Sequence, residues 1–321
     1  MDLTLNSDQR DLRSGLRDYL TEAWGPDRLR ASADTVGFDR KGWKALAELG
    51  IFGLLLPEAD GGMGLGLPDA VILFEELGRA LVPGPVTATF LAAGLVAGAA
   101  EGEAVVTLID TGDFPAVVEH PQAATHLVLV DDDGLFLLAA SAVELTPAEF
   151  PLDPLTPVAR VTVGPEAGER IGTAADAARW RLTGTVLTAA LQVGVAQGAL
   201  DLAVRYAGER TQFDRVIGSF QAVKHLLAES LVRVDLARAA LLVAALTVAD
   251  PGAGDPEKAA SAAKVLADEA AAGNGRCGVQ VHGGMGFTWE VLAHLYLKRA
   301  WLQETAFGSA DEHALRLASA L

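Results

Sequence analysis

Apolar residues recur every three or four positions in the outer thirds of the chain, which is the spacing of one face of an α-helix. The first such stretch covers residues 7–24, and the Ser7 hydroxyl at its start can accept a hydrogen bond from an N–H group of the first turn. The pattern therefore predicts an amphipathic opening helix capped by Ser7.

Three further helices are predicted before residue 102. One spans residues 41–49, one runs from Pro68 to about residue 81, and an Ala-rich one follows the Pro83-Gly84-Pro85 stop. The glycine-rich residues 61–66 between the first two are predicted to form a loop.

From about Glu103 to Val163 the pattern changes to short Val- and Leu-rich runs broken by Gly, Pro and Asp, as strands require. The clearest hairpin joins residues 126–130 to residues 135–139 through an acidic turn that ends at Gly134, because Asp and Gly tolerate positive φ. The middle of the chain is therefore predicted to be a small β region.

Helical spacing returns at Ala174. We predict long helices over residues 174–209, 220–249, 256–281 and 290–305, followed by a short one from about Ala310. Four long amphipathic helices in series are typical of a bundle. The sequence thus predicts a mainly α protein in three domains: a helical N-terminal domain over residues 1–102, a reduced β domain over 103–173 and a C-terminal four-helix bundle over 174–321.

Charge and composition exclude several classes of function. The chain carries 25 Lys and Arg against 42 Asp and Glu, a net charge of −17, which repels nucleic acid. Its longest apolar stretches, such as residues 239–249, reach about eleven residues against the roughly 18 needed to cross a bilayer, so no membrane span is expected. The N-terminus lacks the basic and apolar regions of a secretory signal, and a cytoplasmic location is expected.

Metal and simple hydrolytic chemistry find little support in the sequence. The six histidines include no His-x-x-x-His or His-x-x-Glu pair, and no Gly-x-Ser-x-Gly elbow occurs. The single Cys277 excludes an internal disulfide and is interpreted as a buried small residue rather than a nucleophile. Redox chemistry would require a cofactor.

Three polar or glycine-rich segments could bind a ligand. Residues 61–66 lack the spacing of a phosphate loop, which favours a tight turn. Residues 280–287 join two helices and could bring backbone N–H groups to an anion, or form an ordinary interhelical turn. Residues 209–221 offer an Arg, a Phe and a Gln that could clamp a phosphate and stack on a base, or form a solvated loop.

Taken together, these segments resemble the acyl-CoA dehydrogenase family over most of the chain. Four blocks match in order: Leu56-Pro57-Glu58-Ala-Asp-Gly61-Gly62-Met-Gly64, Phe74-Glu-Glu-Leu-Gly78-Arg, Arg210-x-x-Phe213 with Phe220-Gln221, and Gln280-x-x-Gly283-Gly284-x-Gly286-Phe287. The resemblance implies a helical N-terminal domain, a small β domain and a C-terminal four-helix bundle that builds a tetramer.

The resemblance also implies the reaction and its cofactor. In that family FAD oxidises an acyl-CoA thioester to the trans-2-enoyl-CoA, while a Glu removes the α proton and a β hydride moves to the flavin. By similarity, six residues would contact the adenine and pyrophosphate end of FAD across a subunit interface: Arg210, Phe213, Gln221, Gln280, Gly283 and Gly284.

Two departures from the family pattern concern the catalytic base. The position that most members fill with the catalytic Glu holds Phe307, and the alternative position at the start of the first bundle helix holds Gly184. Neither side chain can take a proton. Glu304 and Asp311 lie near Phe307 in sequence and could substitute, although surface carboxylates beside a turn are the simpler interpretation. The family's Thr-Glu-x-x-x-Gly-Ser-Asp run, which holds the flavin ring, is also missing.

These departures resemble the smaller subunit of the α2β2 acyl-CoA dehydrogenases that actinobacteria use on CoA thioesters of sterol side chains. The leading hypothesis is therefore an FAD-site subunit completed by a longer paralogue, with an electron-transfer protein as acceptor. A second hypothesis is a self-sufficient homo-oligomer that uses a carboxylate such as Glu304. A third is a non-catalytic structural or CoA-binding scaffold.

Overall fold

The computed structural model describes residues 3–34, 38–111, 117–161 and 167–319. The α-helices within these residues are α1 (Ser7–Ala23), α2 (Pro26–Asp34), α3 (Arg40–Glu48), α4 (Leu67–Arg79), α5 (Val86–Ala92), α6 (Ala174–Glu209), α7 (Gln221–Ala249), α8 (Pro256–His282), α9 (Ala293–Gln303) and α10 (Ala310–Ser319). The strands are β1 (Val106–Asp110), β2 (Val117–Glu119), β3 (His126–Asp131), β4 (Gly134–Ala139), β5 (Leu145–Pro147), β6 (Val158–Val161), β7 (Glu169–Thr173), β8 (Thr211–Gln212) and β9 (Arg215–Val216). The predicted end of the β region at Val163 lies outside the described residues.

The observed elements differ from the sequence predictions mainly at helix starts. The cap of α1 is Asn6 rather than Ser7, because the Asn6 side chain accepts the Gln9 N–H while the Gln9 side chain accepts the Asn6 N–H. Helix α2 was not predicted, since its polar sequence buries only Leu29. Helix α9 begins at Ala293, three residues later than the predicted start at Glu290.

Contacts between Cα atoms group the chain into two compact units, which we call the bundle unit and the sheet unit. The bundle unit comprises the described parts of Met1–Arg30, Val71–Val82 and Val186–Leu321, and the sheet unit those of Ala31–Ala70 and Pro83–Thr185. The three-domain division expected from the sequence stays a prediction.

The sheet unit contains a four-stranded sheet in the order β1-β3-β4-β7, where β1 and β3 are parallel and the other pairs antiparallel. The predicted hairpin is confirmed as β3 and β4, with His126 opposite Ala139 and Asp131 opposite Gly134. Alternate β3 residues join two different apolar clusters, Val128 and Val130 in one and Leu127 and Leu129 in the other. Both faces of β3 are therefore buried, which explains its uninterrupted apolar run.

In the bundle unit, α8 is the central helix and lies against α7, α9 and α10. Its Asn274 side chain also donates to the Ala196 carbonyl of α6 and to the Ser230 carbonyl of α7, both at 3.1 Å. Most of the buried positions of α8 are Ala, Gly or Ser, which lets neighbouring helices approach closely. The predicted mainly α fold with a small β region and a C-terminal helical bundle is confirmed.

Glycines allow α4 and α6 to touch through their backbones. A Cβ atom on Gly194 would stand 1.9 Å from the Glu75 carbonyl oxygen, and one on Gly78 would stand 2.1 Å from the Leu191 carbonyl oxygen. A Cβ atom on Gly198 would meet the Arg79 carbonyl oxygen at 2.7 Å. No other residue type fits at these crossing points without moving one helix.

Ion pairs surround this crossing. Glu75 and Glu76 are buried on α4. Arg238 of α7 binds Glu75 at 2.7 Å, and Arg17 of α1 binds Glu76 at 2.5 Å. Arg79 binds Asp201 of α6 at 2.6 Å. Buried carboxylates require partners of this kind, because an unpaired buried charge is strongly destabilising.

Among the helices that the structure describes, one, α6, is long and apolar enough to cross a membrane by length and composition, although its apolar runs are interrupted by Thr and Gln. In its most apolar 18-residue window, 83% of the residues are buried inside the protein. The apolar character of α6 is that of a core helix.

We predict that Gly194→Ala destabilises the protein by about 3 kcal/mol or more, because the added methyl group must separate α4 from α6. Gly208→Ala is the matched control on the same helix, since its Cβ would have no atom within 4 Å. The control should gain up to about 1 kcal/mol through better helix propensity. Urea unfolding of both variants measures the difference, and equal stabilities would contradict the crossing.

Candidate functional site

The segment between α6 and α7 is a small hairpin rather than an irregular loop. Strands β8 and β9 pair Thr211 with Val216, and the Ile217 N–H donates to the Arg210 carbonyl at 2.8 Å. Phe213 and Asp214 form the turn with φ of 54° and 61°. Two positive φ values are the requirement of a type I′ turn, which normally favours Asn or Gly.

This turn presents an aromatic side chain to solvent. Phe213 is 84% exposed, and its ring meets the Phe220 ring edge-on at 6.1 Å. The Arg215 guanidinium lies 4.0 Å above the same Phe220 ring. Arg210 and Gln221, which precede and follow the hairpin, are also exposed.

The second predicted loop follows α8 and is a short 3₁₀ helix, Gly283–Phe287. Gly283 adopts φ of 60°, and no atom beyond the chain neighbours lies within 4 Å of the Cβ position of Gly283 or Gly284. Gly286 has a different role, because its Cβ would meet the Val279 carbonyl oxygen at 2.6 Å. The backbone at Gly283 and Gly284 is therefore open to close approach by a ligand.

The two loops lie at the same end of the bundle unit. Tyr206, one turn before the end of α6, stacks on His282, the last residue of α8, with ring centroids 4.2 Å apart. The six predicted residues are thus carried by two neighbouring helix ends, and all six are exposed: Arg210, Phe213, Gln221, Gln280, Gly283 and Gly284. In the described residues no hydrogen bond joins one loop to the other.

The glycine-rich residues 61–66 belong to the sheet unit and form a turn that packs on itself. A Cβ atom on Gly62 would stand 2.2 Å from the Leu56 carbonyl oxygen, and Gly61 and Gly64 have φ of 79° and 62°. The turn itself therefore requires these glycines, which agrees with the interpretation of residues 61–66 as a tight turn rather than a phosphate loop.

Neither predicted base position carries a carboxylate. Phe307 is 8% exposed and follows α9 with φ of 58°, an unusual value for a bulky residue. Gly184 is buried within α6. Of the two substitutes considered, Asp311 is exposed in the first turn of α10, and Glu304 is half-buried.

Buried polar side chains hold the turn at Phe307. They bind carbonyl groups at and beyond the end of α9: Gln192 binds Ala300 at 2.9 Å, Lys264 binds Glu304 at 2.9 Å and His313 binds Phe307 at 3.0 Å. The Ala300 carbonyl also accepts the Glu304 N–H at 3.0 Å, whereas the carbonyls of residues 304 and 307 lie beyond the end of α9 and have no partner within that helix. Together the three side chains fix the course of the backbone through residue 307.

Burial strongly shifts the pKa values of two titratable groups in this cluster. Burial raises the pKa of Asp268 to about 6, although the ammonium group of Lys264, 2.5 Å away, opposes the shift. Burial also lowers the pKa of His313 to about 4, so this imidazole is neutral at pH 7. Its Nε2–H donates to the Phe307 carbonyl, and Nδ1 accepts from the Ser261 hydroxyl.

Sequence reasoning missed this cluster. Lys264 and Asp268 look like an exposed i,i+4 pair on a helix, yet they are 0% and 2% exposed. His313 was considered only as a potential metal ligand. The sole sequence signal was that Lys264 and Asp268 interrupt the Ala-rich face of a predicted helix.

Two family models match the N-terminal and C-terminal parts of the chain. The acyl-CoA dehydrogenase N-terminal domain matches residues 6–101, and the acyl-CoA dehydrogenase C-terminal domain matches residues 175–321. The chain belongs to the acyl-CoA dehydrogenase family. As a member it is an FAD-dependent oxidoreductase that acts on CH–CH bonds, and the resemblance inferred from the sequence is confirmed.

Full-length relatives agree with this assignment. Acyl-CoA dehydrogenase IpdE2 of Mycobacterium tuberculosis is 34% identical over 99% of this chain and 98% of its own length. IpdE2 of Mycolicibacterium smegmatis is 33% identical over 97% of this chain and 98% of its own length.

Solved structures share the fold. A structure described as the Tcur3481-Tcur3483 steroid ACAD G363A variant superposes with a TM-score of 0.84 at 28% identity, covering 98% of both chains. The ChsE4-ChsE5 complex from Mycobacterium tuberculosis gives a TM-score of 0.83 at 25% identity, covering 99% of this chain and 98% of that chain.

The residues present fit one end of FAD. The open backbone at Gly283 and Gly284 admits a diphosphate, Arg210 can neutralise it, and the exposed Phe213 ring can stack on adenine. The fit does not extend to acid–base chemistry, because Phe307 and Gly184 cannot accept a proton.

We predict that the turn geometry makes position 214 sensitive to side-chain branching. Asp214→Gly should be as stable as the parent or better, because glycine adopts φ of 61° without strain. Asp214→Val should be less stable than Asp214→Gly by about 1–2 kcal/mol, because a β-branched residue resists positive φ. Thermal unfolding followed by circular dichroism measures both, and equal melting temperatures would contradict the type I′ turn.

We predict acid destabilisation that depends on His313. Because its folded pKa of about 4 is below the ordinary value of 6.5, its contribution to stability is present above pH 6.5 and is lost as the pH falls to about 4. Over that range the loss is about 3 kcal/mol. Between pH 6.5 and 4 the free energy of unfolding of the parent should therefore fall by about 3 kcal/mol more than that of His313→Gln. Urea titration at each pH measures both. Parallel pH profiles would contradict the assignment.

Proposed function

We propose that this chain is the subunit without a catalytic base in a heteromeric, FAD-dependent acyl-CoA dehydrogenase. The observation that carries the proposal is the pairing of two features. Both base positions lack a carboxylate, while both loops that fit the nucleotide end of FAD are exposed and held in defined conformations. A chain that had lost all function would not need to hold Phe213 and Asp214 at positive φ.

In this proposal the six loop residues complete an FAD site on a partner subunit. Arg210 binds the diphosphate, Phe213 stacks on the adenine, and Gln221 and Gln280 donate hydrogen bonds. Gly283 and Gly284 permit close approach of the backbone. When bound, FAD supplies the acceptor for the hydride that leaves the β carbon of the acyl group.

The partner is a longer acyl-CoA dehydrogenase paralogue that supplies the base and the contacts to the flavin ring. Several large apolar residues on the described surface of α7 are available for such an assembly: Leu226, Leu231, Val232 and Leu236 are 38%, 48%, 57% and 56% exposed. Exposed apolar surface of this extent is typical of protein interfaces. The solved relatives described as Tcur3481-Tcur3483 and as the ChsE4-ChsE5 complex each name two chains, which supports a hetero-oligomer.

The substrate proposed is a CoA thioester whose acyl group belongs to the steroid class. One solved relative at 28% identity is described as a steroid ACAD, which supports this class over simple fatty acyl chains. We further propose that the complex works in the cytoplasm, in lipid metabolism, and passes its electrons to an electron-transfer protein. Turnover of steroid and straight-chain acyl-CoA thioesters by the purified complex tests the substrate class.

A homo-oligomer that uses Glu304 as base is the competing function. The Glu304 carbonyl is held by Lys264, so the residue occupies a fixed backbone position near Phe307. The proposal predicts no role for its carboxylate in proton transfer. Glu304→Gln should therefore leave turnover by the complex unchanged.

The first test is the visible absorption spectrum of the chain purified alone and after co-expression with a longer paralogue. We expect the chain alone to be colourless and the complex to contain one flavin per pair of unlike chains. Light scattering on the same samples gives the oligomer mass. One flavin per chain in a homo-oligomer, with turnover abolished by Glu304→Gln, would overturn the proposal in favour of the competing function.

We predict that Arg210→Ala weakens FAD binding by the complex about 10- to 100-fold, because a charge-assisted hydrogen bond contributes about 1.5–3 kcal/mol. Arg276→Ala is the matched control, since Arg276 is an exposed arginine on α8 outside the two loops. Flavin fluorescence on dilution measures both affinities. Equal affinity of the Arg210 variant and the parent would contradict the role given to Arg210.

A further inference from the structure

His282 is a buried imidazole at the junction of the two loops. It is the last residue of α8, directly before Gly283, and only 4% of it is exposed. Its ring stacks on Tyr206 of α6 with centroids 4.2 Å apart and planes 25° from parallel. The stack fixes the plane of the imidazole relative to both helix ends.

The protonation of this ring follows from its hydrogen bond. Nδ1 lies 2.7 Å from the Gly278 carbonyl oxygen, and because a carbonyl can only accept, Nδ1 carries the hydrogen. Burial lowers the pKa of His282, and the positive charge of Arg205 lowers it further. The ring is therefore neutral at pH 7, and Nε2 carries a lone pair that can only accept a hydrogen bond.

Nothing in the described part of the chain uses that lone pair. Nε2 makes no hydrogen bond within residues 3–34, 38–111, 117–161 and 167–319, and it is not among the polar atoms that are buried without a partner. It therefore keeps some exposed surface, although the residue as a whole is only 4% exposed. No atom outside the local backbone lies within 4 Å of the Cβ positions of the adjoining Gly283 and Gly284.

We propose that His282 Nε2 accepts a hydrogen bond from an N–H or O–H donor on the adenosine half of the dinucleotide, and so selects the nucleoside that the two loops bind. The donor is the adenine amino group or a ribose hydroxyl. The inference rests on the proposed function, because it assumes that these loops meet the nucleotide end of FAD. His282 acts as a specificity residue, since it touches the cofactor away from the reacting atoms.

The test is competition against FAD by nucleotides that differ in one donor, in the co-expressed complex. The competitors are ADP, inosine diphosphate, which lacks the amino group, and the 2′-deoxy and 3′-deoxy forms of ADP. Displacement is read from flavin fluorescence. In the parent complex we expect one of these changes to weaken competition about fivefold, the value of one neutral hydrogen bond.

His282→Phe keeps a planar ring for the stack and removes the acceptor. With this variant we expect ADP and the analogue lacking the critical donor to compete equally. Tyr206→Phe is the matched control, because it alters the other ring of the same stack without touching the acceptor, and it should discriminate as the parent does. A discrimination that survives His282→Phe would overturn the inference, as would a parent complex that distinguishes none of the four nucleotides.

A second measurement tests the inference without a variant, in case His282→Phe does not fold. In the parent complex with ¹⁵N-labelled histidine, addition of ADP should move the Nε2 resonance of His282, because a new hydrogen bond forms at its lone pair. An unchanged resonance at saturating ADP would reject the inference. Failure of the proposed function looks different, since it is read from flavin content and oligomer mass before any competitor is added: no flavin-containing complex of unlike chains then forms.

Discussion

Close backbone contact between α4 and α6 is the constraint on which the bundle unit depends. At Gly78 and Gly194 a hydrogen atom stands where any other side chain would overlap a carbonyl group of the opposite helix. This contact brings the carboxylates of α4 into the interior, where arginines of α1 and α7 must bind them. The positions of α6 and α7, and hence of the hairpin between them, follow from that arrangement. A small-residue contact thus sets the location of the turn that we propose to bind the nucleotide end of FAD, some distance along the chain.

The polar groups inside the bundle unit fall into two sets with different consequences. The first set, around Glu75 and Glu76, joins helices to one another and serves the fold. The second set, Gln192, Lys264 and His313, binds backbone carbonyls at the end of α9 and serves a local turn. Buried polar groups of the second kind fix the path of a short segment more than they add to stability, because desolvation offsets much of their attraction.

Much of the fold could be predicted from the sequence because its long elements have strong periodicity and clear stops. Helix α6 was predicted at its observed bounds, and the β3–β4 hairpin at its observed turn. Helix α2 was missed because it buries a single leucine, and strands β8 and β9 were missed because two residues are too few to show alternation. The candidate site residues came from motif resemblance. The burial of Lys264, Asp268 and His282 could not be predicted, since it depends on helices that lie far apart in the sequence.

The carbonyl contacts at the end of α9 have a consequence for how this family can change its chemistry. The three side-chain hydrogen bonds at this turn are accepted by the backbone carbonyls of residues 300, 304 and 307. None of them involves the side chain at position 307. These hydrogen bonds therefore hold the backbone at this position without using the side chain of residue 307, although Phe307 is itself buried. In the heteromeric enzyme that we propose, a proton-accepting side chain could be exchanged for a phenyl ring at this position while these backbone hydrogen bonds are kept. The division of labour that we propose between two paralogues would then begin with one side-chain replacement on a backbone held by other residues.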